Sequence, residues 1–138
     1  IDNAGEVQKL LNSVADKVLL AVNGHTHIDH VARVDKLSYL HVNSASYKWV
    51  GGSYRNKSYP AEVHSKFRWV EYTCPYQDSL FTTLTIDPAN GRIDVKGRES
   101  QWVGKSPSQL GIAAKPNQTD GKEICPKIRN RQLGPADK

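Results

Sequence analysis

The chain has no methionine, not even at its start, and only two cysteines in 138 residues. It has no apolar run near the ~20 residues that a membrane-spanning helix requires, so no membrane partner is expected. No signal-peptide pattern is seen at the start of the sequence, and in a chain expected to begin inside a longer protein this decides nothing. Cys74 and Cys125 lie far apart in sequence, and their pairing cannot be deduced from spacing, so the redox compartment stays open. Dense basic runs are absent apart from Lys127-Ile128-Arg129-Asn130-Arg131, and no aromatic platform is interleaved with it. The excess of 19 basic over 14 acidic residues, a net charge of +5, therefore reads as a solvated face suited to an anionic substrate, and no nucleic-acid partner is expected. At 38% hydrophobic residues the chain is one domain's worth, with a modest core.

What is present is organised around Val18-Leu19-Leu20-Ala21-Val22-Asn23-Gly24-His25-Thr26-His27. The apolar residues bounded by Asn-Gly predict a short strand buried on both faces, with a turn directly after it. Gly24 supplies conformational freedom at the turn. The i, i+2 spacing of His25 and His27, in extended chain, puts both imidazoles on one side. Two imidazoles at a rigid strand end begin a transition-metal site but do not complete one. The plainer alternative is a pair of polar loop histidines with no ligand.

Before this strand, Asp2 or Asn3 is a candidate N-cap, Glu6 falls in a first turn, and Val7, Leu10, Leu11 and Val14 recur at helical spacing. The pattern predicts an amphipathic helix packed on a sheet. A helix feeding a strand is an αβ unit, and open α/β sheets place their sites at the carboxyl ends of strands, where the histidines stand.

The segment Asn23-Gly24-His25-Thr26-His27, preceded by helix and strand, resembles the last metal-binding motif, Gly-His-x-His, of the calcineurin-like metallophosphoesterases. The resemblance implies that His25 binds one metal of a two-metal centre and His27 the other, with Mn, Fe or Zn as the ions. It implies a metal-dependent phosphoester hydrolase in which hydroxide attacks phosphorus. It also implies a fold, the C-terminal part of a four-layer α/β/β/α sandwich, here α+β, mostly strands with one N-terminal helix and an irregular tail. The family's earlier motifs, an Asp-x-His, a Gly-Asp, an Asn-His pair and a lone histidine, do not occur in residues 1–22. The expectation is thus a C-terminal fragment, inactive alone, whose partners are a phosphoester substrate and the remaining N-terminal part of the polypeptide. Residues 1–105 fall in that domain part, and 106–138 form an irregular polar C-terminal extension. No catalytic residue is assigned within the chain. The rival expectation is a non-catalytic β-rich accessory or binding module with an adventitious divalent-metal site.

Further along, Val31–Val34 and Leu37–Val42 flank Asp35-Lys36 as a hairpin, and Leu80–Asp87 and Arg92–Gly97 flank Asn90-Gly91 as another. The second is expected to extend the histidine strand's sheet or to pack on it as a second layer. Asp29 is a candidate to orient a metal-bound imidazole. His30, His41 and His64 could be further ligands, though a strand histidine is more often a hydrogen-bonded structural residue. Residues 43–76 read as a long loop rich in Ser, Gly, Tyr and Trp. In the family, segments after the last motif contact the leaving group, which makes Tyr47, Trp49, Tyr54 and Arg55 candidates for substrate contact; as packing aromatics they would instead cover a sheet edge. Ser106–Gly111 predicts one helical turn capped by Ser and stopped by Gly. Asn56 and Asn117 each begin a glycosylation-type triplet, too short a pattern to carry weight.

Overall fold

Helix α1 (Ala4–Ser13) forms where the apolar spacing predicts it, with Glu6 in its first turn facing the positive end of the helix dipole. Asn3 caps it through its backbone: the carbonyl accepts the Glu6 and Val7 N–H groups at 3.1 and 3.2 Å, and its side chain makes no capping bond. The structure, a computed structural model, describes residues 2–112 and 122–134. Within it α1 buries none of its residues, and Leu10 is 69% exposed. The apolar stripe exists, but among the described residues no sheet buries it: Val7, Leu10 and Val14 are exposed and Leu11 is half-buried. One bond ties the helix to the next hairpin, from the Lys36 N–H to Asn12 Oδ1 at 3.3 Å.

Three strands follow, β1 (Ala21–Asn23), β2 (His30–Val34) and β3 (Leu37–His41), in the spatial order β1-β3-β2. β2 and β3 are the expected antiparallel hairpin, turning at Asp35, which takes a left-handed backbone that short polar side chains tolerate. β1 pairs with β3 in parallel. Central β3 buries Leu37, Ser38, Tyr39 and Leu40 in succession. Edge strand β1 does not follow the expectation of burial on both faces: Leu19 is 48% and Val22 54% exposed. An apolar run signals burial against something, and the described residues cover only part of this one.

Residues 43–76 hold more regular structure than a loop. Strand β4 (Tyr47–Trp49), a 3-10 turn at Gly52–Tyr54, helix α2 (Ala61–Lys66), a 3-10 helix at Arg68–Tyr72 and strand β5 (Thr73–Pro75) succeed one another, and β4 pairs antiparallel with β5. α2 follows Pro60, with Glu62 in its first turn and His64 and Lys66 in its last, charges that match the two ends of the dipole.

The second hairpin, β6 (Thr83–Asp87) and β7 (Arg92–Lys96), turns at Gly91 with φ 62°. The Asp87 carboxylate accepts the Asn90 N–H at 3.3 Å and its Nδ2 at 2.8 Å, which fixes the turn. Strand β8 (Arg98–Glu99) pairs with β9 (Lys127–Ile128), and β10 (Arg131–Leu133) pairs with β7. The second hairpin thus builds its own sheet, β10-β7-β6, and does not join the strand order of the first. Its third strand comes from the C-terminal extension, so residues 122–134 are more ordered than an irregular arm. Residues 113–121, with the Asn117 triplet, and 135–138 lie outside the described residues. The Ser106–Gly111 turn forms as a 3-10 helix at Ser108–Leu110: Ser106 Oγ accepts the Gln109 N–H at 3.3 Å, and Gly111 ends it at φ 83°.

The fold is mixed α+β, mostly strands in several small sheets, with two α-helices among the described residues. Tyr76, Leu80 and Ile128 form a buried cluster on which Val42 and Trp102 pack. Beside it the buried Asn43 side chain donates to the carbonyls of Cys125 (2.7 Å) and Lys127 (3.1 Å), and accepts from the Ser44 N–H and the Tyr76 hydroxyl. One amide thereby ties the first hairpin's exit to the C-terminal segment. Cys74 and Cys125 are both free thiols, and burial pushes Cys74 up to about 11.

Candidate functional site

His25 and His27 stand directly after β1, and both adopt left-handed backbone, at φ 72° and 52°. The sequence pointed to Gly24 as the residue that needed this freedom. The histidines take it instead, and they are not in extended chain. The Thr26 N–H closes on the Gly24 carbonyl at 2.9 Å across His25, a γ-turn of the rare positive-φ kind. Non-glycine residues hold such conformations at a cost of roughly 1–2 kcal/mol each. Strain of this type persists only where the surroundings enforce it.

Strand β4 supplies that enforcement. Lys48 Nζ donates to the Thr26 carbonyl at 2.8 Å, the Trp49 N–H reaches His27 Nδ1 at 3.4 Å, and the Tyr47 ring meets the His27 ring edge-on at 5.0 Å. Burial lowers the His27 pKa, and the Lys48 ammonium and His25 lower it further, against a backbone hydrogen bond to Tyr47 that raises it. His27 is therefore a neutral imidazole at pH 7. Because Nδ1 accepts a hydrogen bond, the ring proton sits on Nε2. The 3.4 Å contact is long, so a metal on Nδ1 has little to displace. Burial also lowers the Lys48 pKa. Sequence reasoning passed over Lys48; its signal was its place between Tyr47 and Trp49, two residues already singled out.

Asp29 does not orient an imidazole. It is fully buried, and its carboxylate is taken by Arg129 and Arg131. These arginines belong to the run read as a solvated basic face, so that expectation is corrected with it. His30 and His41 face each other across β2 and β3, their rings 5.5 Å apart, and His30 Nδ1 lies 3.9 Å from the buried Glu123 carboxylate. Burial and the neighbouring His30 lower the His41 pKa. His64 Nε2 accepts the Tyr59 N–H at 3.2 Å and fastens the segment before α2. Among the described residues no group of three or more His, Cys, Asp or Glu is placed to hold a metal ion.

Of the four candidates for substrate contact, Tyr47 and Trp49 lie beside the histidines and line a cavity of about 290 Å³ with Tyr59, Trp69 and Tyr76. Arg55 turns instead to Glu71, at 3.7 Å, and over the Tyr72 ring, at 4.8 Å. Tyr54 ends the 3-10 turn and does not line that cavity. Tyr59 and Trp69 were missed; each sits in a stretch whose pattern carried no period.

No protein-family model, no curated protein and no solved structure matches the chain. No helix among the described residues is long and apolar enough to cross a membrane.

Proposed function

We propose that the chain is the C-terminal part of a calcineurin-like metallophosphoesterase domain, and that the whole enzyme hydrolyses a phosphoester with two metal ions. The observation that carries this reading is the strained Gly-His-Thr-His turn: two imidazoles in left-handed backbone at the carboxyl end of a strand with a parallel neighbour. The donor chemistry fits, since His27 is neutral and its hydrogen bond weak. His25 and His27 would each serve one of the two ions. Such a metal pair supplies a bound water of lowered pKa and a clamp on the attacking and leaving oxygens.

The other groups act within this chain. Lys48 holds the Thr26 carbonyl and so fixes the turn, and its positive charge beside the imidazoles suits an anionic phosphoryl group. The remaining ligands, bridging carboxylates among them, belong to residues N-terminal to this chain. The open stripe of α1 and the exposed Leu19 and Val22 of the first strand region are apolar surface that such a remainder would cover. Covering it would make these small sheets and helices part of a four-layer α/β/β/α sandwich.

The test is metal content by elemental analysis of the protein with its upstream residues, beside a His25→Ala/His27→Ala variant. Two ions per chain, lost in the variant, are expected. An upstream region without Asp-x-His and Asn-His motifs, in a protein that holds no metal, would make the chain a non-catalytic β-rich module instead. The 138-residue chain alone is expected to turn over no phosphoester, and robust turnover by it would overturn the split site.

A further inference from the structure

The cavity beside β4 shares Tyr47 and Trp49 with the contacts that hold the histidine turn, and it opens next to that turn. Tyr47 serves both: it lines the cavity and meets His27 edge-on at 5.0 Å. At about 290 Å³ the cavity is at the small end of ligand pockets, which begin near ~300 Å³, and suits one or two fused rings. Among the described residues no charged side chain lines it. Five of its nine lining residues are aromatic, a composition that favours a flat, uncharged ring through stacking and edge-to-face contact.

Two of the wall residues are unusually open for their type. Trp69 is 71% and Trp49 47% exposed, large apolar surfaces that face water when nothing lies against them. Neither is loose: Trp49 stacks on Tyr72 at 5.8 Å with planes 10° apart, and Trp69 leans on the same Tyr72 ring at 5.4 Å. The walls are thus preorganised before any ligand arrives, which lowers the cost of ordering them on binding. Charge is segregated from this apolar space. Lys48 and the two histidines gather at Thr26, and the rings gather in the cavity. A ligand that matches has a negative head and a flat ring joined by a short link.

We infer that the cavity takes the aromatic leaving group of the phosphoester, an aryl ring or a nucleobase, a conclusion that rests on the phosphoesterase proposal. The ring test needs no metal. On the 138-residue chain, isothermal titration with 2-naphthol and with adenosine, beside glycerol as the ringless probe, is expected to show ring probes binding at least tenfold tighter than glycerol. Trp69→Ala, at an exposed position, is expected to keep the native circular dichroism melt and lose that preference at least tenfold, with Trp69→Phe restoring most of it. Stronger binding of 2-naphthol marks an aryl ester and stronger binding of adenosine a nucleotide; both support the inference. Binding of both ring probes no tighter than glycerol overturns it, as does an unchanged Trp69→Ala, or a Trp69-dependent dimer by sedimentation, which would put a second copy in the cavity. On the longer, metal-loaded protein, the ratio of kcat/KM for 2-naphthyl phosphate over glycerol 2-phosphate is expected to fall tenfold in Trp69→Ala; an unchanged ratio removes the leaving-group role. Failure of the phosphoesterase proposal shows separately, as the absence of bound metal.

Discussion

Asp29 and Arg131, 102 residues apart, meet in a two-pronged pair: Nη1 on Oδ1 and Nη2 on Oδ2, each at 2.7 Å. Arg129 adds its Nε to Oδ2 at 2.6 Å and its backbone N–H at 3.3 Å, and the Arg129 guanidinium also reaches the Asp29 carbonyl. The Asp29 N–H is taken by the Glu123 carbonyl at 2.9 Å. Asp29 stands two residues after His27, so the exit of the histidine turn is anchored to the C-terminal segment rather than to its own sheet.

Asp29→Asn should therefore act on the fold. Replacing one member of a buried charged pair leaves the others uncompensated, at about 3–5 kcal/mol. Urea unfolding is expected to show a loss of that order for Asp29→Asn and a smaller one for Arg129→Ala, since Arg129 is the more exposed arginine, 31% against 17%. A double-mutant cycle with Arg131→Ala should show strong coupling, because both residues belong to one network. Additive losses would break the network apart.

The γ-turn at His25 predicts an inverted order of stability. Glycine occupies left-handed backbone freely, whereas alanine keeps the cost of roughly 1–2 kcal/mol. His25→Gly is expected to be more stable than His25→Ala by about 1 kcal/mol in thermal melts, although both remove a proposed ligand. Equal melts would mean that the turn relaxes when the imidazole goes.

His27 and His41 both have lowered pKa values in the folded chain, chiefly through burial. The unfolded chain then binds more protons below the ordinary histidine pKa of about 6.5, so stability should be flat above that pH and fall as pH drops through the folded values. His41→Gln should flatten the part of this fall that His41 causes. A midpoint of urea unfolding that does not change between pH 7.5 and pH 5 would contradict the sign.

Gly97 lies between the β7 and β8 strands, where an added Cβ would overlap the Ile128 carbonyl. Its N–H donates to Asn130 Oδ1 at 2.8 Å. Gly97→Ala should push β9 away and cost about 1–3 kcal/mol, the scale of overpacking. By contrast, a Cβ at Gly111 meets no atom of the described residues, and Gly111→Ala is opposed there by its φ of 83°. A Gly97→Ala protein as stable as the parent would show that the C-terminal segment shifts freely.

Both hairpins were legible because their signals are local: Asp35-Lys36 and Asn90-Gly91 between strand formers set turn and register within a dozen residues. Helix α1 was legible in its period, but period says which face is apolar, not what covers it, and Leu10 lies open. The arginines of the tail were misjudged because a guanidinium in water and one clasped to a carboxylate 100 residues away look alike in sequence. The candidate site was half legible. Gly-His-Thr-His gave the residue types and the place at a strand end, while the positive φ of both histidines depends on Lys48, Tyr47 and Trp49 gripping the turn from another strand. Such contacts between distant segments leave no periodic trace.

The clasp on Asp29 also sets an order of events during synthesis. Translation runs from the N-terminus at roughly 5–20 residues per second, so the histidine turn leaves the ribosome several seconds before Arg129 and Arg131. Until those two arginines emerge, Asp29 lacks the partners that hold it in the folded chain, and the turn's exit is without that anchor. The histidine turn is written early in the chain and locked late, and a nascent chain stalled before Arg129 would carry both histidines without the brace on the turn's exit.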